Sequence, residues 1–180
     1  MGAELWHHVS RPHDAPLDAL REIQTRCLST YDLPALIQEC LDSARCAVEA
    51  TERDDKHGLL DFYRSDLAKM EAIAADRIPQ DIHARIELIR RIYDSSGQGI
   101  GNVLDVTDVC ESGGMHITQP CDSTELSDLI GSDRPTLAES DQMVNPINAQ
   151  LGRGDSVCFP VYSDDRTSLI AWCFVGNTVD

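Results

Sequence analysis

The side chains in this sequence best able to do chemistry together are Cys110, His116 and Cys121, with Glu111 and Asp122 beside them. Thiolate and imidazole are the preferred ligands of zinc, which gathers three or four of them at about 2.0–2.3 Å. The tight Cys-x-x-Cys pair that normally fixes such a site is missing, since five residues separate Cys110 from His116 and four separate His116 from Cys121. The pattern therefore reads as a loop with incidental Cys and His, and no metal is assigned to it. The same residues can be read as a nucleophile and its base. Cys121 follows Pro120 and precedes a helix start, a place where thiol pKa values fall. A Cys-dependent enzyme using Cys121 and His116 is kept as an alternative; the leading expectation is a protein with no catalytic residues and no cofactor.

Other groupings have plainer explanations. Gly97, Gly99 and Gly101 follow a helix and lead into a strand, the reverse of a phosphate-cradling loop, so they read as a connector. Gly154-Asp155-Ser156 reads as the turn into a strand. His7, His8, His13 and Asp14 read as a solvated end. Cys158 and Cys173 become directly opposed if the hairpin that holds them has a four-residue loop; packing is the expected role and a redox pair the alternative.

Charge is the more informative property. The net charge of −16 comes from 31 acids against 15 bases, and residues 96–180 hold 13 acids and only 3 bases. Between Arg91 and Arg134 the chain runs 42 residues without a Lys or Arg while carrying eight acids. Such a block contributes nothing to a core and must face water, a cation or a basic partner. Asp105, Asp108, Glu111, Asp122, Glu125, Asp128 and Asp133 are the expected partner-binding residues. The expected partner is a basic protein or a nucleic-acid-binding protein. Direct nucleic-acid binding is disfavoured, because affinity for that polyanion comes from Lys and Arg. A second copy of the chain is a further candidate partner.

No apolar run of about 18 residues is present, so no membrane association is expected. The N-terminus lacks the basic and apolar regions of a signal peptide, and seven cysteines in an unpaired pattern fit reduced thiols. A cytoplasmic location follows as an expectation.

The elements that would position these residues divide at about residue 95. Four amphipathic helices are predicted before Gly97: one capped by Asp14 with Pro16 in its first turn, one starting at Asp32 with Pro34, one spacing Leu60, Tyr63, Leu67 and Met70, and one aligning Ile82, Ile86, Ile89 and Tyr93. Beyond the breaker, Val103–Val109 and Met115–Thr118 are strand candidates. A short helix is predicted from Asp122 or Ser123 to Ile130, and residues 132–155 read as an irregular loop. The strongest β signal is a hairpin over 156–175 turning at Asp164–Thr167, with Val157, Phe159, Val161, Ile170, Trp172 and Phe174 on one face. Both faces are apolar, so the hairpin should be central. The expected fold is α+β, a single domain over 1–180 with N-terminal helices on a mainly antiparallel C-terminal sheet: a helical half 1–95 and an acidic β-containing half 96–180.

Two segments resemble GAF-type sensor domains and the effector-binding domains of IclR-type regulators. The hairpin SVCFPVYSDDRTSLIAWCFVG at 156–176 is similar to a strand pair in those domains, and Leu20–Ala50 is similar to their opening helices. The resemblance implies an α/β sensor fold with a small-molecule or protein-contact pocket, and it carries over no site residues. A GAF-like sensor is thus a second alternative to the acidic, inhibitory binding protein that the charge pattern favours.

Overall fold

The computed structural model describes residues 5–55, 58–96, 100, 102–112 and 116–177, with only the backbone of Ser96 and Ile130. The Gly97–Gly101 connector, apart from Ile100, and Met115 lie outside the described residues. The fold is α+β, and the chain divides into two compact units: residues 1–27 with 101–180, and residues 28–100. The boundary read from charge at residue 95 does not coincide with them. Residues 5–27 belong with the sheet.

The helical unit consists of α2 (Leu33–Arg53), α3 (Leu60–Ala75) and α4 (Ile82–Ser96). From the predicted stripes α2 buries Leu33, Ile37, Leu41 and Val48, α3 buries Met70, and α4 buries Ile86 and Ile89; Ile73 and Ile92 are buried beside them, whereas Ile82 is exposed. Asp32 caps α2, its Oδ1 accepting the Ala35 N–H at 3.2 Å, with Pro34 in the first turn.

In the other unit five strands form one mixed sheet in the order β1-β5-β4-β3-β2: β1 (Leu5–Val9), β2 (Asp108–Val109), β3 (Ile117–Pro120), β4 (Ser156–Tyr162) and β5 (Leu169–Asn177). The β4–β5 hairpin is central. It pairs antiparallel, as does β1 with β5, whereas β2, β3 and β4 run parallel. One face is covered by α1 (Pro16–Leu28) and the Val103–Val106 segment, which pack Ala19, Leu20, Ile23, Val103 and Val106 on Cys158 and Phe174. The buried Gln24 ties these layers together, its Nε2 donating to Val103 O at 3.1 Å and Val106 O at 2.7 Å. The other face is covered by α5 (Ser123–Ile130) and α6 (Leu137–Asn148), whose Leu126, Met143, Val144 and Ile147 pack on Phe159, Val161, Ala171, Cys173 and Val175.

Several expectations are corrected. The N-terminal segment is an edge strand rather than a frayed end. Gly176 makes room for it: a Cβ there would collide with the Trp6 indole and come within 2.9 Å of Ser156 Cβ. Val103–Asp105 is a single 3-10 turn, and only Asp108 and Val109 of the predicted first strand pair in the sheet. Residues 137–148, expected to be irregular, form α6 despite Pro146 in its last turns.

Register holds the most consequential correction. Next to the turn Tyr162 pairs with Leu169, as a four-residue loop requires, but Val161 pairs with Ala171, leaving Ile170 as an extra residue on β5. Beyond this bulge the pairs are Phe159 with Cys173 and Cys158 with Phe174. Directly opposed residues share a face, so Phe159 and Phe174 point to opposite layers, and so do Cys158 and Cys173. The one-residue slip removes the geometry of a Cys158–Cys173 redox pair.

The start of α6 is fixed by charge. Glu139 Oε2 accepts the Thr136 N–H at 2.8 Å and Oγ1–H at 3.0 Å, and its Oε1 receives Arg166 Nη2 at 2.6 Å. These bonds, the Thr136 N–H first, hold the Glu139 carboxyl below its usual range. A carboxyl depressed by folding stabilises above its unfolded pKa and stops doing so as pH falls through the folded value. Glu139→Gln should therefore cost about 1–2 kcal/mol near neutral pH, with the difference from the parent shrinking below about pH 4. Denaturation curves at both pH values check this; an unchanged difference in acid would mean that the ion pair and cap contribute nothing through charge.

Candidate functional site

Parallel pairing gives β2, β3 and β4 one direction, but their register staggers the carboxyl ends: Val109 lies level with Thr118 and Ser156, Pro120 lies level with Cys158, and β4 runs on to Tyr162. Glu111 follows β2, Asp122 follows β3, and Asp164 and Asp165 follow β4. Thr136 forms a parallel bridge with Tyr162, so Asp133 and the start of α6 lie near the end of β4. Sequence spacing alone did not suggest this arrangement. Of the seven predicted partner-binding acids, Asp133 lies near Asp164 and Asp165 at the end of β4, Asp122 and Glu125 follow β3, and Glu111 follows β2, nearer the start of β4. Asp105 and Asp108 lie at the amino end of β2, and Asp128 lies in the C-terminal half of α5. Asp164 and Asp165 were missed because a polar hairpin turn is self-explanatory when read in one dimension.

Some of these carboxylates have structural duties. Asp122 and Glu125 form the capping box of α5: Asp122 Oδ1 accepts the Thr124 N–H at 2.6 Å, and Glu125 Oε2 accepts the Asp122 N–H at 3.2 Å. The Thr124 bonds hold the Asp122 pKa down. Asp165 Oδ1 accepts from Ser163 Oγ at 2.6 Å and Thr167 Oγ1 at 2.9 Å, which closes the turn and lowers its pKa. Asp108 Oδ1 accepts the N–H of Val109, so the edge strand satisfies one of its own donors with an acid. Glu111, Asp133 and Asp164 are exposed.

Two of the three bases after residue 96 lie at the end of β4. Arg134 Nη1 donates to Arg166 O at 3.1 Å, Arg166 Nη1 donates to Arg134 O at 2.7 Å, and the Arg134 guanidinium lies over the Tyr162 ring at 5.4 Å. Arg166, with φ of 57°, is held in this clasp by Glu139. Both guanidinium groups serve the junction between the β4–β5 turn and the α5–α6 loop, and the neighbouring Asp133 and Asp164 are exposed.

The Cys and His residues are not gathered. Among the described residues no group of three or more His, Cys, Asp or Glu side chains is placed to hold a metal ion. Cys110 is exposed with Sγ 3.2 Å from Ser112 Oγ, a contact that lowers its pKa. Cys121 instead packs against the layer of α5 and α6, where burial, then Glu125, pushes its thiol up to about 12. That shift opposes nucleophilic activation. The one Cys–His contact in this unit among the described residues is Cys27 Sγ to His8 Nε2, 3.9 Å; burial raises the thiol pKa and lowers that of the imidazole, so the pair rests neutral. Alkylation at pH 8 should label Cys110 rapidly and Cys121 about 10³-fold more slowly, in proportion to thiolate fraction. Mass mapping against time checks this, and early labelling of Cys121 would restore the thiol-enzyme alternative.

No helix among the described residues is long and apolar enough to cross a membrane. Comparison with family models, curated proteins and solved structures found no match.

Proposed function

We propose that the chain is a non-catalytic binding protein whose acidic sheet end engages, and thereby blocks, a basic partner protein such as one with a nucleic-acid-binding groove. The observation that carries this reading is the excess of exposed acid after the strands. Glu111, Asp133 and Asp164 are exposed, while Arg134 and Arg166 are directed to each other's backbone carbonyls, Tyr162 and Glu139. A surface with an excess of carboxylates supplies the negative potential that a phosphate-binding groove selects, steering encounter and setting orientation.

The immobilised chain, exposed to an extract of its native host at low and at high salt, tests the proposal. A stoichiometric basic protein retained at low salt and released as salt rises is the expected result, since screening shortens the reach of exposed charges. Retention of no such protein would return the acidic end to ordinary solvated surface. The sensor alternative draws support from a separate feature, a pocket lined wholly by the helical unit.

A further inference from the structure

Ser43, Ala44 and Ala47 on α2 are too short to fill the space opposite Phe62 and Tyr63 on α3, and the gap is a pocket of about 380 Å³. That volume suits a small organic ligand. Met70 and Ser95 form its buried floor, with Ser95 Oγ 2.7 Å from Ile92 O. Its aromatic wall comprises Phe62, Tyr63 and Tyr93; Phe62, with its ring 5.5 Å from that of Tyr63, remains 56% exposed. A phenyl ring so placed offers more than half of its surface to a ligand.

The charges in the lining have one sign. Glu39 and Asp66 contribute carboxylates, and no Lys or Arg among the described residues lines the pocket. Lys69 Nζ holds Asp66 at 2.8 Å, whereas Glu39 makes no salt bridge among the described residues. The field of Glu39 reaches inside. After burial, which is the main cause, it helps to raise the pKa of Cys40, and it is one of several contributions that push Tyr93 up to about 12, along with Tyr31 and Cys40. An anionic ligand would meet uncompensated carboxylate, and a neutral one would leave Glu39 partly desolvated without a partner.

We propose that this pocket binds a small organic cation, an aryl-alkyl ammonium, with its charge between Glu39 and the rings of Phe62, Tyr63 and Tyr93 and its apolar body over Ala44 and Ala47. Ring faces attract a cation through their quadrupole, and a carboxylate at the rim of the pocket adds to that attraction. The site is independent of the acidic sheet end, so either can fail without the other.

The test uses 3-phenylpropylammonium and the nearly isosteric, uncharged 3-phenylpropan-1-ol as probes, titrated calorimetrically into the full chain. One ammonium should bind per chain with a dissociation constant below about 1 mM, and the alcohol should bind about tenfold more weakly. Glu39→Gln should remove most of that difference, and Phe62→Ala should weaken the ammonium about five- to tenfold; both positions are exposed, and circular dichroism verifies the fold. No binding up to about 10 mM would overturn the proposal. So would equal affinities for amine and alcohol. Amine binding indifferent to both substitutions would also overturn it, since that is adsorption to the acidic surface at large.

Discussion

Phe159→Ala should lower the unfolding free energy of the sheet unit by about 3–5 kcal/mol, the cost of removing a large side chain from a site that cannot collapse. Phe159 is fully buried among Leu126, Met143, Ile147 and Cys173, held on one side by the sheet and on the other by α5 and α6. Trp172 sits on the opposite layer and is partly exposed, with its Nε1–H donating to His13 O at 3.1 Å. Its replacement by Ala should cost about 3 kcal/mol, the lower end of the range. Both tryptophans of the chain, Trp6 and Trp172, belong to the sheet unit, so fluorescence-detected denaturation reports that unit even if the helical one melts separately. A loss under about 1 kcal/mol for Phe159→Ala would sink the assignment of its layer. Rapid native-state oxidation to a Cys158–Cys173 disulfide would do the same, because only a hairpin without the bulge opposes those thiols.

Reversing Glu111, Asp133 and Asp164 to Lys together should slow association with the captured partner about tenfold or more and flatten its salt dependence. Their exposed carboxylates contribute well under about 1 kcal/mol each to stability, so the fold should survive. Glu125 and Asp122 are left out because reversing a capping box would unravel the start of α5 and confuse binding with folding. Reversal of Asp108 and Asp128, away from the sheet end, serves as the control and should change the rate less. Stopped-flow association at two ionic strengths distinguishes them. Equal slowing by both sets would mean that net charge, rather than one surface, governs encounter; no slowing by either would remove the acidic end from recognition.

The helical unit was largely legible in the sequence, because a helix satisfies its backbone locally and declares its buried face through spacing, as Leu33, Ile37, Leu41 and Val48 do in α2. Asp122 with Glu125 announced α5 in the same local way. Thr136 and Glu139 carried an equivalent signal for α6, masked by Pro146 and the surrounding polar residues.

Sequence alone also determined the sign of the surface, the α+β class and the central place of the hairpin, since these depend only on composition and on apolar residues at alternate positions. Tertiary structure decided the rest. The bulge at Ile170 set which layer each hairpin side chain enters, and parallel pairing ran β2, β3 and β4 in one direction while its register staggered Glu111 and Asp122 from Asp164. Packing around Cys121 half-buries the thiol and raises its pKa, which opposes its activation as a nucleophile. Each of these outcomes rests on contacts between residues distant in the chain. Their energy comes from side chains that a local pattern cannot bring together, so one extra residue in a strand can reverse a face without altering any spacing that announced it.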